Sequence, residues 1–312
     1  MKPAPDACAG EFAHAMQLAL AEPPRRVSPK WFYDAEGSRL FDAICELPEY
    51  YPTRTELALL DRHGHDIARR IGPGAEIVEF GAGSLRKVRL LLDALEKPAR
   101  FVPIDISADH LLSAAALLQR DRPGLAVRPL VGDFTQGLTL PPAGGPRVGF
   151  FPGSSIGNFA PDEAQALLQR MAGWLDGGLL IGVDLVKDPD LLHAAYNDAQ
   201  GVTARFNRNL LARANAELGA DFELSRWAHS AFYHPTLQRI EMHLVSRSDQ
   251  RVQLCGQVFA LAEGDSIHTE NSYKYTVPGF QRLAERAGFT PEAVWVDGRR
   301  WFALHWLRPT RR

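Results

Sequence analysis

The sequence predicts an α/β protein with a doubly wound parallel sheet and a second α+β domain inserted late in that fold. Three observations favour this: apolar runs alternate with helical segments from about residue 56, a glycine-rich turn follows the first run, and the alternation stops after Val186. Because crossovers between parallel strands are right-handed, the winding of such a sheet is largely fixed.

The elements can be assigned in chain order. A first helix covers residues 11–19, and the segment TELALLDRHGHDIARRI has the period of an amphipathic helix. Five buried strands then alternate with helices: AEIVEFGAG, ARFVPIDIS, LAVRPLVGDF, RVGFFPGSSIGNF and GLLIGVDLV. This pattern is typical of a Rossmann-like sheet.

Beyond Val186 the pattern changes. Residues 193–219 are mostly helical, and RIEMHLVSR, RVQLCGQVFAL and DSIHTENSYKY look like consecutive antiparallel strands. A helix, PGFQRLAERAGF, precedes VWVDGRRWFALHWLR, in which Asp-Gly indicates a hairpin. We therefore expect the sheet domain at 56–188 plus 276–312, and a substrate-binding domain at 1–55 plus 189–275.

Composition excludes several classes of protein. The 312 residues are 46% hydrophobic and 23% charged with a net charge of −2, so neither a nucleic acid nor a membrane is an expected partner. No apolar stretch approaches the roughly 18–20 residues that span a bilayer, and the N-terminus lacks a secretory signal. Three widely spaced cysteines argue against disulfides and zinc and predict a cytoplasmic protein, which we expect to be monomeric.

Side chains at three successive strand ends indicate a nucleoside cofactor. The turn Gly81-Ala82-Gly83 lets a ligand approach the backbone, although it departs from the full dinucleotide fingerprint. Asp105 follows the second strand, where an acid accepts ribose hydroxyls, and Asp133 with Phe134 follows the third, beside an adenine. With the terminal hairpin, this is the sheet of class I S-adenosylmethionine (SAM)-dependent methyltransferases, and SAM is the expected cofactor.

Other residues near this turn have two interpretations. Glu79 either binds the methionine ammonium of the cofactor or has a structural role, and Lys87 either binds the cofactor or is exposed to solvent. Asn158, in the turn after the fourth strand, is a substrate contact or a turn former.

Five blocks together resemble the L-histidine Nα-methyltransferases of ergothioneine biosynthesis, a histidine-specific SAM-dependent family. The resemblance runs from about residue 28 to the end, in the following segments: WFYDAEGSRLFDAICELPEYYPTRTE, FGAGSLRKVRLLLDAL, FPGSSIGNF, AYNDAQGVTARFN and IHTENSYKY. The family also includes members that act on other amino acids. The blocks therefore identify the chemistry more firmly than the substrate.

The resemblance implies a role for each matching residue. Tyr33 lies across the cofactor near the reacting nitrogen and, with Asn158, forms the catalytic pair. Tyr50, Asn158 and Tyr196 hold the α-amino and α-carboxylate groups of the substrate. Glu270 and Ser272 bind its imidazole ring, and Met242 packs against that ring. The implied cofactor contacts are Tyr33, Gly81, Lys87, Asp105, Asp133 and Phe134; the loop FGAGSLRK departs from the family pattern and puts the carboxylate contacts of the cofactor in doubt.

Methyl transfer needs alignment more than charge stabilisation, since a neutral amine attacks a sulfonium methyl; positioning alone supplies roughly 7–11 kcal/mol. No histidine or carboxylate in the blocks is an obvious general base, so water or a tyrosine hydroxyl relay is the hypothesis. Tyrosine faces favour a methylated ammonium, which predicts stepwise trimethylation to hercynine.

Three alternatives stay open at this point: the same chemistry on another amino acid such as tryptophan or a histidine derivative, an NAD-dependent oxidoreductase, and a catalytically silent binding protein. No metal is expected, because His229, His234 and His243 have no companion carboxylate motif.

Overall fold

The computed structural model describes residues 7–310. The chain divides into two compact units, one formed by residues up to Tyr50 with Pro189–Asn271, the other by Tyr51–Asp188 with the chain from Ser272 onward. We call them the inserted unit and the sheet unit. The boundaries expected from sequence, 55/56 and 275/276, lie slightly further along the chain than these divisions.

The described part of the chain contains nine α-helices and thirteen strands, besides short 3-10 helices. The helices are α1 Glu11–Ala21, α2 Ala35–Cys45, α3 Tyr51–Ile71, α4 Arg86–Ala94, α5 Ala108–Asp121, α6 Pro161–Trp174, α7 Pro189–Tyr196, α8 Val202–Leu218 and α9 Val277–Arg286. The strands are β1 Glu76–Phe80, β2 Arg100–Asp105, β3 Ala126–Val127, β4 Leu130–Val131, β5 Arg147–Phe151, β6 Gly178–Asp184, β7 Trp227–His234, β8 Arg239–Ser246, β9 Gln250–Leu254, β10 Gln257–Leu261, β11 Ser266–Tyr273, β12 Phe289–Val296 and β13 Phe302–Pro309.

The sheet unit contains one eight-stranded sheet in the order β12-β13-β6-β5-β1-β2-β3, with β4 also beside β2. Strands β1 to β6 pair in parallel, whereas β13 pairs antiparallel with both β6 and β12. Strands β1 and β6 are buried along their whole length, as expected for a sheet covered on both faces. The predicted Rossmann-like parallel sheet, completed by an antiparallel terminal hairpin, is confirmed.

Two apolar layers cover the faces of this sheet. One contains Leu59 of α3, Leu91 of α4 and Leu111 of α5, and the other contains Leu167 of α6 and Leu283 of α9. Since α3 and α9 bury a helical stripe rather than their whole surface, the amphipathic period of the sequence indicated these positions.

The predicted terminal hairpin is present, but its connection is longer than a two-residue Asp-Gly turn. Residues 297–301 join β12 to β13. The carboxylate of Asp297 accepts hydrogen bonds from the backbone N–H groups of Arg299, Trp301 and Phe302. These bonds stabilise a five-residue loop.

The inserted unit has a three-stranded sheet in the order β11-β8-β7 and a separate β9–β10 hairpin. Strand β7 was not predicted from the sequence. The segment RVQLCGQVFAL, predicted as one strand, forms the two strands β9 and β10. The chain reverses at Cys255 and Gly256, which both have positive φ angles of 49° and 79°.

Cys8 and Cys255 form a disulfide with their Cα atoms 5.6 Å apart, and Cys45 is not part of a disulfide. The prediction that the cysteines form no disulfide is therefore wrong. The two residues are 247 positions apart, and spacing along the chain does not reveal that the β9–β10 turn meets the 3-10 helix Ala7–Ala9. Among the described helices, none combines the length and apolar character needed to cross a bilayer.

Candidate active site

The glycine turn after β1 leaves its backbone open to a ligand. Gly81 and Gly83 have positive φ angles of 69° and 50°. A Cβ placed on Gly83 would meet no atom within 4 Å, and one on Gly81 would meet only Phe134 Cε1 at 3.8 Å. The sequence-predicted residues Gly81 and Phe134 are thus brought together, and a planar group can approach both.

The two predicted acids shape the loops at the strand ends. Asp105 accepts hydrogen bonds from the N–H groups of Gly83 and Ser107 at 3.1 and 2.9 Å. Asp133 accepts from the N–H of Thr135 at 2.9 Å. Each carboxylate oxygen has more than one lone pair, so these bonds fix the acids in place and leave acceptor capacity for hydroxyl or amino groups of a cofactor.

Lys87 lies in the first turn of α4, and its ammonium is 2.7 Å from a carboxylate that sequence reasoning missed, that of Glu56 in α3. Glu56 is fully buried and also accepts the N–H of Gly153 at 3.1 and 2.9 Å. A Cβ on Gly182 of β6 would lie 2.1 Å from Glu56 Oε1. Isolated glycine in a strand often marks such a close approach, so Gly182 was the available signal.

Glu79, at the carboxyl end of β1, is a buried acid with an unsatisfied oxygen. Its Oε2 has no hydrogen-bond partner among the described residues. Burial raises the pKa of Glu79 well above its usual value, the Lys87 ammonium opposes this, and the carboxylates of Glu56 and Asp105 add to it. A buried carboxyl beside an open glycine turn fits the ammonium of the expected cofactor SAM, because that positive charge would favour the ionised form of Glu79.

Asn158 ends the 3-10 helix Ser155–Asn158, which follows β5. This turn packs tightly on the end of β11, since a Cβ on Gly157 would lie 2.7 Å from the carbonyl oxygen of Tyr273. Ser272, next to Tyr273, accepts a hydrogen bond from the ammonium of Lys274 at 2.7 Å. The sheet unit therefore brings the predicted residues Asn158 and Ser272 to neighbouring segments.

In the inserted unit, the three predicted tyrosines belong to one aromatic cluster. Tyr50 and Tyr196 have ring centroids 6.4 Å apart, and Phe41 lies 5.7 Å from Tyr33 and 6.3 Å from Tyr50. Phe206 of α8 contacts Tyr33 at 5.8 Å and Phe41 at 6.0 Å. Phe41 and Phe206 were not predicted as site residues, because each occupies an ordinary apolar position of a helix.

The electrostatic surroundings of Tyr50 place Glu270 beside this cluster. Burial raises the pKa of Tyr50 well above its usual value, and Tyr196, Cys45, Glu270 and Tyr33 raise it further in that order. The Tyr50 phenol therefore stays protonated at neutral pH and can donate a hydrogen bond. It does not serve as a phenolate base at neutral pH.

A buried amide supports the segments that carry the predicted substrate residues. Asn207 of α8 donates to the carbonyl of His243 at 3.0 Å and accepts from Thr269 Oγ1 at 2.7 Å. Its amide also bonds His229 at 2.9 Å, and His229 bonds the carbonyl of Tyr196 at 2.9 Å. Thr269 Oγ1 also lies 3.1 Å from the carbonyl of Met242, which is 2% exposed. Asn207 thus connects α7, β7, β8 and β11.

Glu241, His243 and His268 bring three possible metal ligands within 4.8 Å of one another, so the argument that His243 has no companion carboxylate is wrong. The two imidazole rings are stacked at 4.6 Å and 10°, however, so their in-plane lone pairs run parallel instead of converging on one ion. Glu241 is also paired with Arg239 at 2.5 Å, and that cation opposes metal binding. The cluster is better described as two stacked imidazole rings beside an Arg239–Glu241 ion pair, with Glu241 3.0 Å from His243 Nε2.

The sheet order, the open glycine turn and the acids at the strand ends define a class I SAM-dependent methyltransferase. A family model described as "Histidine-specific methyltransferase, SAM-dependent" matches residues 12–309, and the chain belongs to this family.

Several relatives carry names that agree with this family. A histidine N-alpha-methyltransferase of Mycolicibacterium smegmatis is 40% identical over 301 residues, covering 94% of each chain. A protein of the same name from Mycobacterium tuberculosis is 40% identical, over 89% of this chain and 88% of its own length. Ergothioneine biosynthesis protein 1 of Neurospora crassa is 31% identical over 92% of this chain. That protein is longer, and the match covers 34% of its length.

Proposed function

We propose that this protein transfers methyl groups from SAM to the α-amino nitrogen of L-histidine, stepwise to the trimethylated betaine hercynine, in ergothioneine biosynthesis. The observation that carries the proposal is the cluster of Tyr33, Tyr50 and Tyr196 with Glu270 close to Tyr50. Hydroxyl donors, aromatic faces and one carboxylate suit a zwitterion with a cationic amine and a side chain that carries an N–H group.

Residues of the sheet unit bind the cofactor in this proposal. Glu79 accepts the ammonium of SAM, Asp105 the ribose hydroxyls and Asp133 the adenine amino group, with Phe134 against the adenine ring. Lys87 acts through Glu56, with which it is paired at 2.7 Å, and holds the β5 turn by way of Gly153. When bound, SAM supplies an electrophilic methyl group.

The protein's own contribution to the reaction is positioning. Tyr50, Tyr196 and Asn158 hold the α-amino and α-carboxylate groups, Tyr33 lies beside the reacting nitrogen, and Met242 packs against the substrate. Because the raised pKa of Tyr50 keeps its phenol protonated, the amine proton leaves to water, directly or along hydroxyl groups that stay protonated overall. A rate that does not change between pH 7 and 9.5 would refute proton loss to water as a kinetically significant step.

The decisive experiment incubates the purified protein with labelled SAM and each of the twenty amino acids. We expect histidine to be methylated, with mass spectrometry showing mono-, di- and trimethyl products in sequence. A protein that methylates another amino acid, or stops at one methyl group with excess SAM, would contradict the corresponding part of the proposal.

Glu270 is the proposed specificity residue, since its carboxylate accepts the imidazole N–H. Glu270→Ala should raise the KM for histidine at least tenfold, as expected for the loss of a charge-assisted hydrogen bond, and leave the KM for SAM unchanged. The control is Glu263→Ala, which removes an exposed carboxylate from the preceding turn. Equal KM values for the two variants would refute the assignment.

We further propose that the enzyme acts as a monomer in the cytoplasm, where the disulfide between Cys8 and Cys255 would be largely reduced. Alkylation of thiols in intact cells, followed by mass spectrometry, tests this. A fully oxidised pair in freshly lysed cells would count against the cytoplasm, and a dimer in light scattering would count against the monomer.

A further inference from the structure

A buried charge cluster lies where β6 ends in the sheet unit. Asp184 accepts hydrogen bonds from Lys187 at 2.5 Å and from Tyr51 Oη at 2.7 and 2.9 Å, and its other oxygen is 2.8 Å from Lys274 Nζ. The side chains of Asp184, Lys187 and Lys274 are at most 4% exposed. Two buried lysines therefore share one carboxylate, which is more cationic charge than a structural ion pair requires.

The two lysines differ in their other partners. Lys187 donates to Tyr51 Oη at 2.8 Å and to the carbonyl of Leu185 at 2.5 Å, so its bonds stay within the cluster and the adjacent backbone. Lys274 donates to Ser272 Oγ at 2.7 Å. Burial lowers the pKa of Lys187 to about 8, with Asp184 opposing that change. Either lysine alone would leave Asp184 in a neutral pair.

The bond from Lys274 determines what the Ser272 hydroxyl can do. An ammonium has three donors and no acceptor, so Ser272 Oγ uses a lone pair to accept from it. A hydroxyl that accepts a bond in this way can still donate its own O–H. The charge-assisted bond from the ammonium makes that hydroxyl a stronger donor.

We propose that Lys274 is a positioning residue that fixes Ser272 as a hydrogen-bond donor to the unprotonated nitrogen of a neutral imidazole. The inference rests on the proposed function and on the imidazole-binding role that the family resemblance implies for Ser272. The inference adds that the enzyme selects the protonation state of the substrate's imidazole ring. An imidazolium carries N–H groups on both nitrogens and offers the serine no acceptor. The enzyme therefore binds histidine with an uncharged side chain.

The test compares Lys274→Met with Lys187→Met as its matched control. Both remove one lysine from Asp184 and leave the other, but only the first removes the hydrogen bond from Lys274 to Ser272. We expect the KM for histidine to rise about tenfold in Lys274→Met and less than twofold in Lys187→Met, with the KM for SAM unchanged in both. Similar increases in the two variants would overturn the inference.

A double-mutant cycle separates positioning from general damage. Ser272→Ala combined with Lys274→Met should bind histidine no more weakly than Ser272→Ala alone, whereas additive increases in KM would overturn the inference. In wild type the KM for histidine should fall as pH rises through about 6.5, the ordinary imidazole pKa, and this dependence should weaken in Lys274→Met. Calorimetry with S-adenosylhomocysteine checks that each variant is folded; if Lys274→Met is not, Lys274→Gln replaces it.

The same methylation assay tests the proposed function separately from the inference about Lys274. A wild-type protein that does not methylate histidine refutes the proposed function. The cycle is then run on the amino acid that is methylated, and a Lys274 effect that persists for a substrate without a side-chain acceptor refutes the inference independently.

Discussion

His305 provides a prediction whose size follows from its surroundings. It lies in β13 between Ile181 of β6 and Val294 of β12, is 0% exposed, and packs 4.8 Å from Phe280. Neither ring nitrogen has a hydrogen-bond partner among the described residues. Burial lowers the pKa of His305 from 6.5 to about 4. The perturbation is His305→Leu, which keeps the volume and removes both unsatisfied nitrogens.

The sign of the pH dependence follows from this lowered pKa. Between pH 6.5 and 4 the unfolded chain binds a proton at His305 that the folded protein does not, so acid favours unfolding in that window. For pKa values of 4 folded and 6.5 unfolded, the free energy of unfolding falls by about 1.8 kcal/mol between pH 7 and pH 5. At pH 7 the substitution should add about 1–3 kcal/mol, because an unsatisfied buried polar group is removed.

The assay is urea denaturation of wild type and His305→Leu at pH 7 and pH 5. The variant should be more stable at pH 7 and should lose about 1.8 kcal/mol less on acidification. Some pH dependence should persist, because burial also lowers the pKa of His268 to about 4. His65→Gln, which removes an exposed imidazole, is the control. A variant that is less stable at pH 7, or as acid-sensitive as wild type, would refute the reasoning.

Three further predictions concern contacts described above. Gly182→Ala should weaken S-adenosylhomocysteine binding at least tenfold in calorimetry, because its Cβ would displace Glu56; Gly173→Ala, with no atom within 4 Å of the new Cβ, should leave binding unchanged. Asn207→Ala should lower the free energy of unfolding by about 1–3 kcal/mol and raise the KM for histidine, and a variant with normal stability would contradict this. Reduction of the Cys8–Cys255 disulfide should cost about 2–4 kcal/mol of stability in urea denaturation, whereas Cys45→Ser should not; equal loss in both would refute the assignment.

Hydrophobic periodicity and the residues at strand ends predicted most of the fold and part of the cofactor site. The alternation of buried strands and amphipathic helices is local information, so the parallel sheet and its late insertion could be inferred without knowing any contact. Asp105 and Asp133 could be singled out because the carboxyl ends of neighbouring parallel strands converge at one edge. Both indeed anchor the backbone of the loops there.

Pairings between distant segments could not be predicted in this way. Glu56 occupies an otherwise polar position of an amphipathic helix, and nothing in its neighbourhood along the chain indicates that it is fully buried against Gly182. The same holds for Cys8 with Cys255 and for Lys274 with Asp184, whose partners are supplied by the fold. Strand β7 was missed because its burial does not alternate cleanly.

The route by which the chain leaves and re-enters the sheet unit has an evolutionary consequence. Just after β6, Val186 donates a backbone hydrogen bond to Tyr275, and Tyr275 donates one to Asp184, so the outgoing and returning segments run side by side. Backbone hydrogen bonds therefore hold the two ends of the insertion together within the sheet unit. A different module could be grafted between them without altering the strand order, which gives one scaffold a means of acquiring new acceptor substrates while its donor chemistry is inherited intact.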